Sequence, residues 1–130
     1  MTKKSEIGKL GEELAVQYLL GKRYKIIERN FWKPWGELDI VSKDKDGTLA
    51  FVEVKTLKDY PGGFLEPEDN LTRAKLKKLE RTASLYAGAR QDLIDDLKGW
   101  RIDLIAIKVP HILTNNIDSV VIKHWESISH

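Results

Sequence analysis

Two runs of alternating residues constrain this chain more than any other feature. Leu38 to Ser42 and Thr48 to Thr56 flank a turn containing Asp46-Gly47, the pattern of a β-hairpin. A three-residue loop, Lys45-Asp46-Gly47, puts the glycine at the left-handed position that such loops favour. The strands then pair so that Asp39 faces Glu53 and Leu38 faces Val54. A two-residue Asp46-Gly47 loop would pair Asp39 with Val54 and mix polar and apolar faces. The longer loop is favoured because Leu38, Ile40, Val52 and Val54 then share one face.

Around the hairpin the periodicity predicts helices and further strands. Residues 5–20 carry Ile7, Leu10, Leu14 and Tyr18 at helical spacing, with Ser5 as N-cap and Gly21 placed to end the helix. Gly8 and Gly11 inside that helix each cost about 1 kcal/mol relative to alanine, which suggests a close approach by another backbone or a ligand. Residues 24–28 read as a first strand. Residues 58–70 read as a long loop of the kind that is usually functional or mobile. A second helix over 72–88 places Leu76, Leu79, Ala83 and Tyr86 on one stripe. Ile102 to Val109 is an almost continuous apolar run, typical of a buried strand, and residues 119–125 read as a last strand.

The order is α-β-β-β-α-β-β, and the second helix is long enough to cross over between parallel strands. A mixed β-sheet flanked by helices follows, as a single domain over residues 1–130. With 42% apolar and 32% charged residues, the composition is that of a globular chain. No run approaches the roughly 18 apolar residues of a membrane span. There is no cysteine, which excludes disulfides, thiol catalysis and thiolate metal sites. Met1 to Glu6 turns polar where a signal peptide needs an apolar stretch, so a cytoplasmic location is expected.

A net charge of +2 says little about nucleic acid, but its distribution says more. Arg73, Lys75, Lys77, Lys78, Arg81 and Arg90 face a single acid, Glu80, whereas Asp92, Asp95 and Asp96 follow close behind. Such a stripe makes either a phosphate-facing surface or an ordinary solvated helix face. Trp32, Trp35, Trp100 and Trp125 are scattered single aromatics and read as packing residues rather than base-stacking ones. His111, His124 and His130 lack metal-ligand spacing and read as surface or packing residues. Asp103, in an apolar strand, reads as half of a structural ion pair with Arg101.

The chemistry sits on the hairpin. Asp39, Glu53 and Lys55 bring two carboxylates and a lysine side by side. Magnesium commonly takes only one or two carboxylates, completed by substrate phosphate. A metal there activates water and stabilises charge in phosphodiester cleavage, while a lysine orients the water or neutralises developing charge. Alone, the same residues also describe a cross-strand ion cluster on a solvated sheet face.

Gly8-Lys9-Leu10-Gly11-Glu12 with Ala15, Arg29-Asn30, Gly36-Glu37-Leu38-Asp39 and Phe51-Val52-Glu53-Val54-Lys55 form an ordered set, continued by Lys75 with Ala83 and by Arg101-Ile102-Asp103. Over about residues 5–125 this set resembles the YraN-like family of uncharacterised bacterial proteins, in the PD-(D/E)XK nuclease superfamily. A weaker similarity to archaeal Holliday junction resolvases covers the first-helix glutamate and the hairpin. The resemblance implies a restriction-endonuclease-like core holding Mg2+ or Mn2+ through Asp39 and Glu53. Lys55 would be the catalytic lysine, and Glu12, rather than the outward-angled Glu13, the acid completing the site. Arg73, Lys75, Lys77 and Arg81 would contact nucleic acid. Many relatives carry a basic residue where this chain has Leu57, which puts part of a phosphate clamp in doubt.

The function implied is metal-dependent hydrolysis of phosphodiester bonds, with DNA favoured and branched or repair intermediates among the substrates. The alternative is a nucleic-acid-binding module with little or no turnover. A protein-interaction domain with a vestigial site ranks third. No membrane partner is expected. Monomer and homodimer both stay open, since paired cuts across a junction need two copies.

Overall fold

The computed structural model describes residues 4–58, 71–109 and 120–128. The elements run α1 (Glu6–Gly21), β1 (Lys25–Lys33), β2 (Gly36–Lys43), β3 (Leu49–Lys58), α2 (Arg73–Ala89), a short 3-10 turn (Gln91–Leu93), β4 (Trp100–Val109) and β5 (Val121–Trp125). The order matches the sequence-based expectation. The segment expected as a loop over 58–70 lies, beyond Lys58, outside the described residues.

The five strands form one sheet in the order β1-β2-β3-β4-β5. All neighbours are antiparallel except β3 and β4, which α2 joins as a parallel crossover. Alternation along β3 and β4 sends side chains to both faces. Leu49, Phe51, Ile102 and Leu104 pack with Leu79, Ala83 and Tyr86 of α2. Ala50, Val52, Ile105, Ile107 and Val109 pack with Ala15, Val16 and Leu19 of α1. The sheet is therefore covered on both faces, and β3 and β4 carry the continuous apolar runs that such burial requires.

Ser5 caps α1 as expected, and Thr72 caps α2 in the same way. Ser5 Oγ accepts from the Gly8 N–H at 3.1 Å, and Thr72 Oγ1 accepts from the Lys75 N–H at 3.2 Å. Two details of α1 differ from expectation. Gly21 ends the helix as expected, but the left-handed residue after it is Arg23, at φ 69°, rather than a glycine. The buried stripe is Gly11, Glu12, Ala15, Val16 and Leu19, turned from the expected Ile7-Leu10-Leu14-Tyr18 line. Gly11 is where the close approach occurs: a Cβ there would overlap Thr56 Oγ1 on β3.

The β2–β3 hairpin closes as expected on Lys45-Asp46-Gly47. Asp44 N–H donates to the Thr48 carbonyl at 2.8 Å, and Gly47 sits at φ 98°. Ile40 pairs with Val52 and Val41 with Phe51. The ladder ends there, and the expectation for the next residues needs correction. Leu38 does not share a face with Ile40, Val52 and Val54; it packs on the α2 side with Val41 and Phe51. Across β2, Asn30 of β1 adopts a left-handed φ of 54°, between the pairs Arg29–Ile40 and Phe31–Leu38. The Asp39 side chain takes over the role of a strand carbonyl, its Oδ2 accepting from the Val54 N–H at 2.9 Å. Beyond this contact Leu38 of β2 lies on the face opposite Ile40, while β3 keeps its alternation against β4.

A second polar network ties β5 to the sheet. Asp103 is fully buried and accepts from Arg101 Nε at 3.0 Å, His124 Nε2 at 2.8 Å and the Ser127 N–H at 3.1 Å. Burial alone would raise its pKa, but the His124 and Arg101 hydrogen bonds hold it below the usual aspartate range. Arg101 also donates to Tyr24 Oη at 2.8 Å and to Asp44 at 3.1 Å. The Arg101–Asp103 pair is thus the structural ion pair its strand context suggested, and His124 is a packed partner within it.

Candidate functional site

Where β2 and β3 part, α1 delivers an acid. Gly11 lets the helix settle onto Thr56, and the next residue, Glu12, is carried down to the sheet edge and is 3% exposed. Glu13, on the adjoining angle, is exposed and pairs with Arg29 Nη1 at 3.0 Å. Among the described residues, neither Glu12 carboxylate oxygen has a hydrogen-bond partner. A buried carboxylate left so is costly unless a cation stands by.

The cation is Lys4. Its Nζ lies 2.9 Å from Asp39 Oδ1 and 3.2 Å from Glu12 Oε2, bridging the two acids. Arg29 Nη2 stands further off, 3.6 Å from Glu12 Oε1. Burial works against the Lys4 charge, yet Asp39 and Glu12 raise its pKa above the ordinary lysine value. The Ser5 cap fixes how the chain enters α1 and so where Lys4 falls.

Lys55 lines a cleft of about 240 Å³ together with Lys4, Glu12 and Asp39. Glu53 lines a different cleft, of about 210 Å³, with Glu37, Lys75 and Lys78. The β3–β4 pairing runs unbroken from Leu49 to Lys58, so Glu53 and Lys55 stay on one face of β3, while Asp39 turns Oδ2 to the Val54 N–H. Its carboxylate still reaches Glu53. Burial chiefly, and then the charge and hydrogen bond of Asp39, push the Glu53 carboxyl far above the usual glutamate range.

Among the described residues, no three Asp, Glu or His side chains are gathered closely enough to form a preformed metal cluster. The donors present nonetheless suit a hard cation. Glu12 and Asp39 turn oxygens to one point, Glu12 has no hydrogen-bond partner among the described residues, and an ammonium already occupies that point. Magnesium needs no more protein ligands than these, with water and substrate phosphate completing its shell.

The basic residues divide in the same way. Arg73, Lys75, Lys77 and Arg81 are all exposed on α2, and Lys75 and Lys78 reach the cleft of Glu53. Sequence reasoning assigned no role to Lys4, counted Lys78 only within the basic stripe of α2, and met Glu37 only within the Gly36-Glu37-Leu38-Asp39 motif. Lys4 precedes the first periodic residue and carries no pattern of its own; only its place beside the Ser5 cap hints at it. Trp100 packs against the α2-side core, as expected, and Trp125 joins it there. Trp32 and Trp35 do not fit the packing expectation, being 40% and 46% exposed on the β1–β2 hairpin.

Fold and site together define a mixed α/β protein in which two carboxylates share the Lys4 ammonium where the β2–β3 ladder ends. The chain belongs to the family described as uncharacterised protein family UPF0102, whose model matches residues 11–107. A UPF0102 protein of Persephonella marina is 38% identical over 112 residues, 85% of this chain and 85% of that one. One from Corynebacterium efficiens is 31% identical over 127 residues, covering 98% of this chain and 94% of its own. Another, from Syntrophomonas wolfei, is 49% identical over 81 residues, 62% of this chain and 68% of the relative. No described helix is long and apolar enough to cross a membrane.

Proposed function

We propose that this chain is a divalent-metal-dependent nuclease of the PD-(D/E)XK type, acting on DNA in the cytoplasm. The observation that carries the reading is the shared cation: Glu12 and Asp39 hold one ammonium between them beside Lys55. Glu12 and Asp39 would hold Mg2+ or Mn2+, with Glu53 as the neighbouring acid. The bound ion would polarise a phosphate oxygen and supply an activated water. Lys55, in the same cleft, orients that water or neutralises charge building on the phosphate. The exposed Arg73, Lys77 and Arg81 guide the backbone toward the site from α2.

A second reading rests on Lys4. An ammonium that fills the cation position supports a nucleic-acid-binding module with little turnover. Labelled single-stranded, duplex and branched DNA incubated with Mg2+ or Mn2+ separates the two. The nuclease reading expects cleavage of at least one substrate, abolished by Asp39→Asn and slowed by Lys55→Ala. Binding of all three without cleavage would replace it with the binding module.

A further inference from the structure

A third cleft, of about 420 Å³, opens beside the carboxylates. Glu12 and Asp39 stand at its end, Lys9 and Arg29 line it, and Phe31 and Trp32 supply apolar wall. An acid-held cation and basic side chains both select phosphate. Neither accounts for the exposed Trp32 ring beside them, since Phe31 is packed edge-on against Tyr86 in the core. A nucleobase does: its π-face stacks on aromatic side chains whatever its identity, while its sugar-phosphate needs charge close by.

The hairpin that carries the wall is built to present it. Trp32 pairs with Glu37 and Lys33 with Gly36, so the β1–β2 turn is the two-residue Pro34-Trp35. Both tryptophans stay exposed on this tip, although the sheet below has an apolar core on either face. Asn30, in its left-handed conformation, adds an amide to the same cleft. Within continuous duplex, neighbouring bases cover both faces of each base, and a base can enter a pocket only after leaving the stack.

We infer that this cleft receives an unstacked nucleobase adjoining the phosphate held at the Asp39 site, with Trp32 as its stacking surface. The substrates are then nucleic acids with unpaired nucleotides, single strands or junctions, rather than continuous duplex. The inference rests on the nuclease reading only for what lies at Asp39.

Binding of a fluorescein-labelled single-stranded DNA and of the matching duplex, in Ca2+, tests it. Trp32→Ala is expected to weaken single-strand binding roughly tenfold, the scale of one lost base–aromatic stack. Trp32→Phe should recover most of that loss, and duplex binding should not change. Thermal melts confirm that each variant is folded, which the exposure of Trp32 favours. Equal single-strand affinity in wild type and Trp32→Ala, or an equal loss on duplex, overturns the inference and leaves the nuclease reading intact. No binding of either DNA by the wild type overturns both. Trp32-dependent binding without any cleavage under Mg2+ upholds the inference and overturns the nuclease reading.

Discussion

Asp39 Oδ2 accepts a hydrogen bond from the Val54 backbone N–H at 2.9 Å. That single contact puts a carboxylate where a strand carbonyl would otherwise stand, and it ends the β2–β3 ladder at Ile40–Val52. The other oxygen is left to meet Lys4 at 2.9 Å. One residue therefore both opens the sheet edge and supplies the acid that the opening exposes.

If Lys4 competes with the metal, removing it should tighten metal binding. Lys4→Met is expected to raise Mn2+ affinity roughly tenfold, equivalent to about 1.4 kcal/mol. The metal-free protein should lose stability, by about 1–2 kcal/mol, because Lys4 offsets Asp39 and Glu12 but is itself part-exposed. Calorimetric titration beside melts in chelator checks both. Unchanged affinity would mean that the ammonium and the metal do not share a position.

The raised Glu53 pKa gives a pH dependence with a definite sign. The native state keeps a proton that the unfolded chain releases near the ordinary glutamate value of about 4.3. Between that value and the raised one, the folded state binds more protons, so metal-free stability falls as pH rises. Denaturant melts between about pH 5 and pH 8 should show this decline, and Glu53→Gln should flatten it. An identical slope in the variant would place the titration elsewhere.

Gly11 tests how α1 reaches the sheet. Alanine gains about 1 kcal/mol of helix propensity, yet its Cβ would overlap Thr56 Oγ1. Gly11→Ala should therefore destabilise by about 1–2 kcal/mol net, within the usual cost of overpacking. Thr56→Ala in the same chain should recover much of the loss, a coupling that a double-mutant cycle measures. Simple additivity would show that the helix does not press on Thr56.

The exposed cations of α2 predict a salt effect. If Arg73, Lys77 and Arg81 meet phosphates, the triple alanine variant should bind all DNA sequences more weakly. Its salt slope should flatten by roughly one unit per lost contact. Unchanged binding and slope would assign this face to solvation.

The order of elements along the chain and the inner hairpin register were legible because they follow from local chemistry. Gly47 at positive φ sets the loop, and the apolar runs of β3 and β4 mark strands buried on both sides. The α1 stripe was misread for a physical reason. Its buried face carries Gly11 and Glu12, a close contact and a buried acid, so hydrophobicity pointed one residue away. The outer half of β1, Arg29 to Lys33, was missed because it is a mostly exposed edge strand interrupted by left-handed Asn30. The splice at Asp39 was illegible because alternation assumes an unbroken ladder, and one side chain's choice of partner broke it.

The central claim is that Asp39 and Glu12 hold one divalent cation. Isothermal titration of Mn2+ into wild type, Asp39→Asn and Glu12→Gln tests it without knowledge of the substrate. Each substitution keeps shape while removing the negative charge that a hard cation requires. The account predicts one site in the wild type and at least tenfold weaker binding in each variant, with both variants folded as judged by melts. Manganese binding in the Asp39→Asn, Glu12→Gln double variant equal to that of the wild type would contradict it.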